Sequence, residues 1–518
     1  MSADSRDVAG VTAWAPDLLL AGGRFERGRA LVSGADGRVA AVVPLEGGAG
    51  DAEVGRAVSE ALGRPAGGVR VARLAGRALL PGMVNAHSHA FQRVIRGRTE
   101  HRSAASGDSF WTWREMMYAA AERLTPEGVY DASRMAFLEM AAGGITTVGE
   151  FHYLHRAADG SEYEDPNLLA REVIRAARDV GLRIALLRVA YARAGFGRPP
   201  DPRQRRFIEP DPETYAAHTE ALAGDLARAG DDAAWAGVAP HSVRAVGVGH
   251  LRAARALATR HGLPLHMHVS EQPAEVEACL AETGRTPVEF LAAEGLLAAD
   301  FTAVHAVHVT PGEVALLGRA RANVCACPTT ERNLGDGVLP AGELLDAGAC
   351  VALGTDSHAQ IDLLEDAREL EYHLRLVRLA RNVLAPDAGA AAGGGAGAAE
   401  AVEGAGGAGG TADAPALSAL AARLFVCATA AGARSLGLEG GGSLAAGSPA
   451  DFFTVDLSDP TVAGAGDEDL LSSIVFSLSR AAVREVAVGG RLVVEGGRHA
   501  AQEEIVSRFA ALQRGLWS

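Results

Sequence analysis

The sequence predicts an α/β fold, a TIM-like (β/α)8 barrel joined to a small β-sandwich domain built from the N- and C-terminal segments. Three observations carry this. Eight short apolar runs, each ending abruptly in polar residues, lie between residues 79 and 358. Long Ala/Leu/Arg/Glu stretches of helical character separate most of them, as in LLAREVIRAARDVG (168–181) and HLRAARALATRHG (250–262). Glycine-broken β-like runs occupy both ends of the chain, DLLLAGGRF near the start and REVAVGGRLVVEGG near the finish. Eight β–α units in succession are the pattern of a closed parallel barrel, whose catalytic residues sit where strands end on the C-terminal face.

In chain order the runs are LLPGMVNAHSH (79–89), GITTVGEFHY (144–153), RIALLRVAY (183–191) and WAGVAPHS (235–242), then PLHMHVSE (264–271), FTAVHAVH (301–308), RANVCACPTT (321–330) and CVALGTDSH (350–358). The expected division is 1–78 for the first part of the sandwich, 79–385 for the barrel, 386–414 for an Ala/Gly insertion, 415–440 for a helical segment closing the barrel, and 441–518 for the rest of the sandwich with a terminal helix. The insertion reads as a flexible surface segment. Deleting residues 387–412 is therefore expected to leave soluble yield and turnover nearly unchanged, because loop length changes closure entropy by only about 0.6 kcal/mol per doubling. Loss of soluble protein on deletion would show that the segment packs.

Composition narrows the functional classes. With 48% hydrophobic and 22% charged residues the chain has an ordinary globular balance and material for a large core. No apolar run reaches the roughly 18 residues of a membrane span, and MSADSRDVAG does not read as a signal peptide. Five cysteines, at 279, 325, 327, 350 and 427, are too few and too irregular for a disulfide framework, so a reducing cytoplasmic setting is expected. The net charge of −15 disfavours nucleic acid or an anionic membrane as a partner. There is no lysine anywhere in the chain. That absence excludes Schiff-base chemistry, a phosphate-loop lysine and a carbamylated lysine bridging two metals.

The histidines mark the chemistry. His87 and His89 end the first run at a spacing that puts both on one face of a strand. His266 and His268 repeat that spacing in the fifth run, with Glu271 just beyond; His305 and His308 close the sixth, and Asp356 closes the eighth inside GTDSH. In a barrel all of these converge on one mouth, where imidazoles and a carboxylate can hold a zinc-type cation. Zinc lowers the pKa of bound water to roughly 7, which makes hydroxide available for attack on an electrophilic C–N centre. Glu271 is placed to pass a proton to the departing nitrogen. These residues alone do not separate a deaminase from an amide hydrolase.

The signature PGMVNAHSHAFQR, the HMHVSEQ segment, His305 and GTDSHAQ resemble the amidohydrolase superfamily in its mononuclear deaminase branch. More narrowly, HSHAFQR, DSFWTWREMMY, GEFHYLH, APHSVRAV, HMHVSEQ and CPTTERNLGDG together resemble the formimidoylglutamate deiminase family. The resemblance implies one Zn2+ per subunit, Fe2+ accepting similar ligands, held by His87, His89, His268 and Asp356. It implies Glu271, His305 and Asp356 as catalytic groups, and Gln92, Arg114, Tyr153, His241 and Arg244 as substrate-binding groups. The implied reaction is deimination of N-formimino-L-glutamate, a small dicarboxylate, to N-formyl-L-glutamate and ammonia, and the implied assembly is a homodimer. Paired arginines suit a dicarboxylate, because a planar guanidinium binds carboxylate bidentately. His266 and His308 read as packed, and Trp111 and Trp113 as loop packing rather than substrate contacts. The alternative is another aminohydrolase or ring hydrolase, of the guanine deaminase or imidazolonepropionase kind. A metal-free scaffold would have lost ligands, and none is missing.

Overall fold

Five strands open the chain in the computed structural model, which describes residues 10–63, 68–100, 110–386 and 418–518. They are β1 (Thr12–Ala21), β2 (Arg24–Glu26), β3 (Arg29–Ser33), β4 (Val39–Pro44) and β5 (Arg70–Pro81). The eight apolar runs then supply β6 (Met83–Ser88), β7 (Ile145–His152), β8 (Arg183–Ala190), β9 (Ala234–Pro240), β10 (Leu265–Val269), β11 (Phe301–His305), β12 (Asn323–Ala326) and β13 (Cys350–Leu353). Four strands finish the chain: β14 (Phe452–Asp456), β15 (Val483–Val488), β16 (Arg491–Glu495) and β17 (Arg498–His499). The Ala/Gly stretch from 387 onward lies outside the described residues.

β6 to β13 pair in sequence order, all parallel. Every residue of β7 and β8 is buried, as expected where helices cover a parallel sheet and the pore is filled with side chains. Among the described residues, the first and last barrel strands are joined by a single β-bridge, at the mouth. There Ser88 bridges Asp356, with His89 N–H donating to Asp356 O at 3.1 Å and Asp356 N–H to His87 O at 3.0 Å. Beneath that seam, helix Ala430–Ser435 packs against both β6 and β13. A Cβ on Gly432 would lie 2.5 Å from Val84 O, so glycine lets the helix come this close.

The two chain ends form one mixed sheet, ordered β17-β16-β15-β14-β5-β1-β3-β4 with β2 beside β1. β5 joins them, parallel to β1 and antiparallel to β14. Period-two alternation sorts β1 between faces. Trp14 joins Leu31, Phe452 and Ala487 in one apolar cluster, while Ala13 and Ala15 join Val32, Val54 and Val58 in another, under helix Asp51–Leu62. The sheet curls around the Trp14 face: Trp14 and Phe452 rings lie 5.0 Å apart, and Arg38 bridges back to Pro449. The first apolar run splits at Gly82. Residues through Pro81 pair with β14, and Met83 begins the barrel. A Cβ at Gly82 would lie 2.3 Å from Thr146 Oγ1, so only glycine fits the crossing between sheets.

Candidate metal centre and substrate cavity

The mouth is built from strand ends. His87 lies on β6 with His89 just beyond it, His268 on β10, His305 at the end of β11, and Asp356 three residues past β13. His305 and Asp356 leave their strands in the left-handed region, at φ +71° and +44°. Non-glycine residues are held there only where surrounding structure enforces it, commonly at functional sites. The effect is to turn both side chains toward one point.

One ligand atom each from His87, His89, His268 and Asp356 lie within 4.8 Å of one another, and all four residues are buried. The imidazole tautomers are set from behind. His89 Nδ1 lies 2.9 Å from the Phe151 carbonyl and His268 Nδ1 3.2 Å from the His241 carbonyl, so each Nδ1 carries the hydrogen and each Nε2 presents a lone pair. His87 Nε2 is 3.2 Å from His89 Nε2, and the two stand 3.4 and 3.1 Å from Asp356 Oδ1. Lone pairs and a carboxylate crowded this closely fit a shared cation. The donor set, three imidazoles and one carboxylate, is of zinc type with a position left for water. Burial favours the neutral, ligating form of the histidines: the His87 pKa falls to about 3 and that of His268 falls well below the usual range.

A second layer surrounds His305. Its Nε2 lies 3.6 Å from Glu271 Oε1 and 3.7 Å from Asp356 Oδ2, and its Nδ1 lies 3.3 Å from Glu331 Oε1. Burial works against an imidazolium there, but Glu271, Glu331 and Asp356 outweigh it and hold the His305 pKa well above its ordinary value. Burial raises the Glu271 pKa, opposed by His305 and Arg244. Sequence reasoning misses Glu331, although it lies inside CPTTERNLGDG. It sits in the first turn of helix Pro328–Leu334, where its Oε1 also accepts the Cys327 N–H at 2.9 Å.

An inner cavity of about 50 Å³ opens above the cluster. Gln92, Arg114, Tyr153, His241 and Arg244 all line it, together with His89, His268, Glu271 and Asp356. Gln92 Nε2 donates to Tyr153 Oη at 2.6 Å, leaving the buried Gln92 Oε1 without a partner among the described residues. An outer cavity of about 470 Å³ shares Arg114, Tyr118 and Arg244 with the inner one, so these three mark the neck between them. Trp113, expected only to pack a loop, also lines the inner cavity; the Trp111 side chain lies outside the described residues. His266 and His308 stand apart from the cluster, their Nε2 atoms each 2.7 Å from a carbonyl, of Ser435 and Asp336 respectively. Tyr118 and Tyr191 line the inner cavity too, and sequence reasoning misses both. Tyr191 ends the third apolar run, the same signal that marks the histidines.

A (β/α)8 barrel with a buried His-His-His-Asp group at its mouth and a mixed sheet at its side defines a class of metal-dependent hydrolases. The chain belongs to the amidohydrolase family, whose model matches residues 78–493. It is 38% identical over 448 residues to the formimidoylglutamate deiminase of Pseudomonas aeruginosa, covering 86% of this chain and 91% of that one. It is 29% identical over 449 residues to a 5-methylthioadenosine/S-adenosylhomocysteine deaminase of Natronomonas pharaonis, covering 86% of this chain and 87% of that one. Among solved structures, an amidohydrolase from Brucella melitensis superposes with a TM-score of 0.81 at 32% identity, covering 98% of this chain and all of that one. An atrazine chlorohydrolase from Arthrobacter aurescens, solved in complex with zinc, shares the fold with a TM-score of 0.74 at 22% identity, over 98% of this chain and 100% of that one. No helix among the described residues is long and apolar enough to cross a membrane.

Proposed function

We propose that this protein is a hydrolase of carbon–nitrogen bonds that converts N-formimino-L-glutamate and water to N-formyl-L-glutamate and ammonia. The observation that carries the reading is the pair of cations, Arg114 and Arg244, at the neck of a cavity floored by His89, His268, Glu271 and Asp356. One Zn2+ per subunit, with Fe2+ as the substitute, is assigned to His87, His89, His268 and Asp356. Zinc, when bound, supplies Lewis acidity and brings the pKa of water down to roughly 7.

The chain's own groups do the rest. The two arginines hold the two carboxylates and orient the formimino head inward. The unpartnered Gln92 Oε1 accepts an N–H of that head. The Tyr153 hydroxyl, already accepting from Gln92, has its own hydrogen to donate. Asp356 takes a proton from the attacking water, and His305 offers an N–H to the oxygen arriving at the formimino carbon. Glu271, whose buried carboxyl holds a proton more readily than a free one, delivers a proton to the terminal nitrogen. The proton held by Asp356 passes to the same nitrogen, the C–N bond breaks, ammonia leaves, and the hydroxyl hydrogen returns to Glu271 as the formyl C=O forms. A reducing, cytoplasmic setting is proposed from the number and irregular spacing of the five cysteines. A homodimer is the assembly proposed, and sedimentation of the purified protein tests it.

Ammonia release from N-formimino-L-glutamate, measured beside guanine, is the direct test. Guanine as the better substrate would overturn the assignment. Arg114→Ala and Arg244→Ala are each expected to weaken the substrate by about 2–5 kcal/mol, because a carboxylate loses its charged partner. Each variant should also lose discrimination against only one of the two analogues that lack a single carboxylate. Two variants that bind N-formimino-L-glutamate like the wild type would remove both arginines from the site.

A further inference from the structure

We propose that Tyr118 and Tyr191 determine specificity by donating their phenol hydrogens, beside Arg114, to one carboxylate of the substrate, and that Gln204 positions them for it. The inference rests on the dicarboxylate reading above and names the groups that complete it. Gln204 is 1% exposed and ends the short helix Pro202–Gln204. Its Oε1 accepts the Asp201 N–H at 3.1 Å, which fixes the orientation of the amide. Nε2 is therefore the end that faces the two phenols. It donates to Tyr118 Oη at 2.9 Å and to Tyr191 Oη at 3.0 Å.

The direction of those bonds decides what the phenols can do next. Tyr191 Oη also accepts from Arg114 Nη2 at 2.9 Å, so it accepts twice. A phenol oxygen used twice as acceptor has only its hydrogen left to give. Tyr118 accepts once, and neither phenol donates to any described residue. Both side chains are nearly buried, at 4% and 3% exposure, yet both line the inner cavity. Burial pushes the Tyr118 phenol up, so it keeps its hydrogen at neutral pH. The Arg114 guanidinium lies 5.2 Å from the Tyr118 ring centroid, and the buried Arg244 Nη1 has no partner among the described residues. The inner cavity is therefore lined by two phenol hydrogens and an Arg244 N–H that meet no acceptor among the described residues. Buried donors require acceptors, and a carboxylate with two oxygens and four lone pairs supplies them.

Tyr118→Phe and Tyr191→Phe remove one hydroxyl each and keep the ring. Hydrogen bonds to a charged group are strong, so each variant is expected to raise KM for N-formimino-L-glutamate about ten- to hundredfold. Metal content and kcat should stay nearly unchanged, the pattern of binding lost equally from ground and transition states. Gln204→Glu reverses the bonds, because a carboxylate accepts the phenol hydrogens and turns them from the cavity. It should raise KM at least as far as either Phe variant does while unfolding at the wild-type temperature. Glutarate binding, measured by calorimetry on the same set, should weaken in parallel. Failure of wild-type protein to release ammonia from N-formimino-L-glutamate would remove the substrate reading alone, since glutarate still reports on the phenols. Phe variants that bind glutarate as tightly as the wild type, or a wild type that does not bind it, would overturn the proposal.

Discussion

Asp356→Asn is expected to lower kcat/KM by about 10⁴-fold or more, the upper end of what a single proton acceptor contributes, because a ligand is lost with it. In the wild type, Asp356 Oδ1 stands 3.4 and 3.1 Å from the His87 and His89 Nε2 atoms, and Oδ2 stands 3.7 Å from His305 Nε2. Asparagine keeps the shape, carries no charge and accepts no proton. Two readouts separate the losses: metal per protein chain by elemental analysis, and turnover per bound metal. A variant with normal metal content and normal turnover would remove Asp356 from the site.

Glu271→Gln should divide those readouts differently. Glu271 touches His305 and is no member of the four-residue cluster, so metal content should stay at the wild-type level. Turnover should fall about 10²–10⁴-fold, the usual contribution of a positioned acid or base. The wild-type carboxyl is desolvated, which raises its pKa above the ordinary glutamate value. Glutamine can hydrogen-bond but cannot carry a proton between water and nitrogen. If the variant loses metal and keeps its rate per bound metal, Glu271 is structural.

What is legible in the sequence depends on where each residue sits in the fold. The barrel strands can be read because strands buried on both faces are near-continuous apolar runs, and the candidate ligands end those runs. The boundary at Gly82 cannot, since LLP and MVNAHS are both buried strands and the residues on either side look alike. Glu331 is hidden by its setting: an acid in the first turn of a helix is ordinary, as it complements the helix dipole. Gln204 is hidden differently. DPRQRR reads as a polar surface loop, yet the fold buries its glutamine against two tyrosines, one of them distant in sequence.

The seam between the first and last barrel strands gives a cation a topological role. His87 and His89 stand on one side of it and Asp356 on the other, roughly 270 residues apart along the chain. An ion shared across that junction, as proposed, would be an inorganic clasp, closing the barrel as a cross-link closes a loop. Cross-links act chiefly on the unfolded chain, and a loop of 100 residues is already worth about 4.7 kcal/mol on that account. Removing the proposed ion is therefore expected to slacken the seam at the His89 and Asp356 amides, where hydrogen exchange should quicken first. Synthesis imposes an order as well. The three histidines proposed as ligands leave the ribosome well before the aspartate, so firm retention of an ion would begin only when the ring is complete.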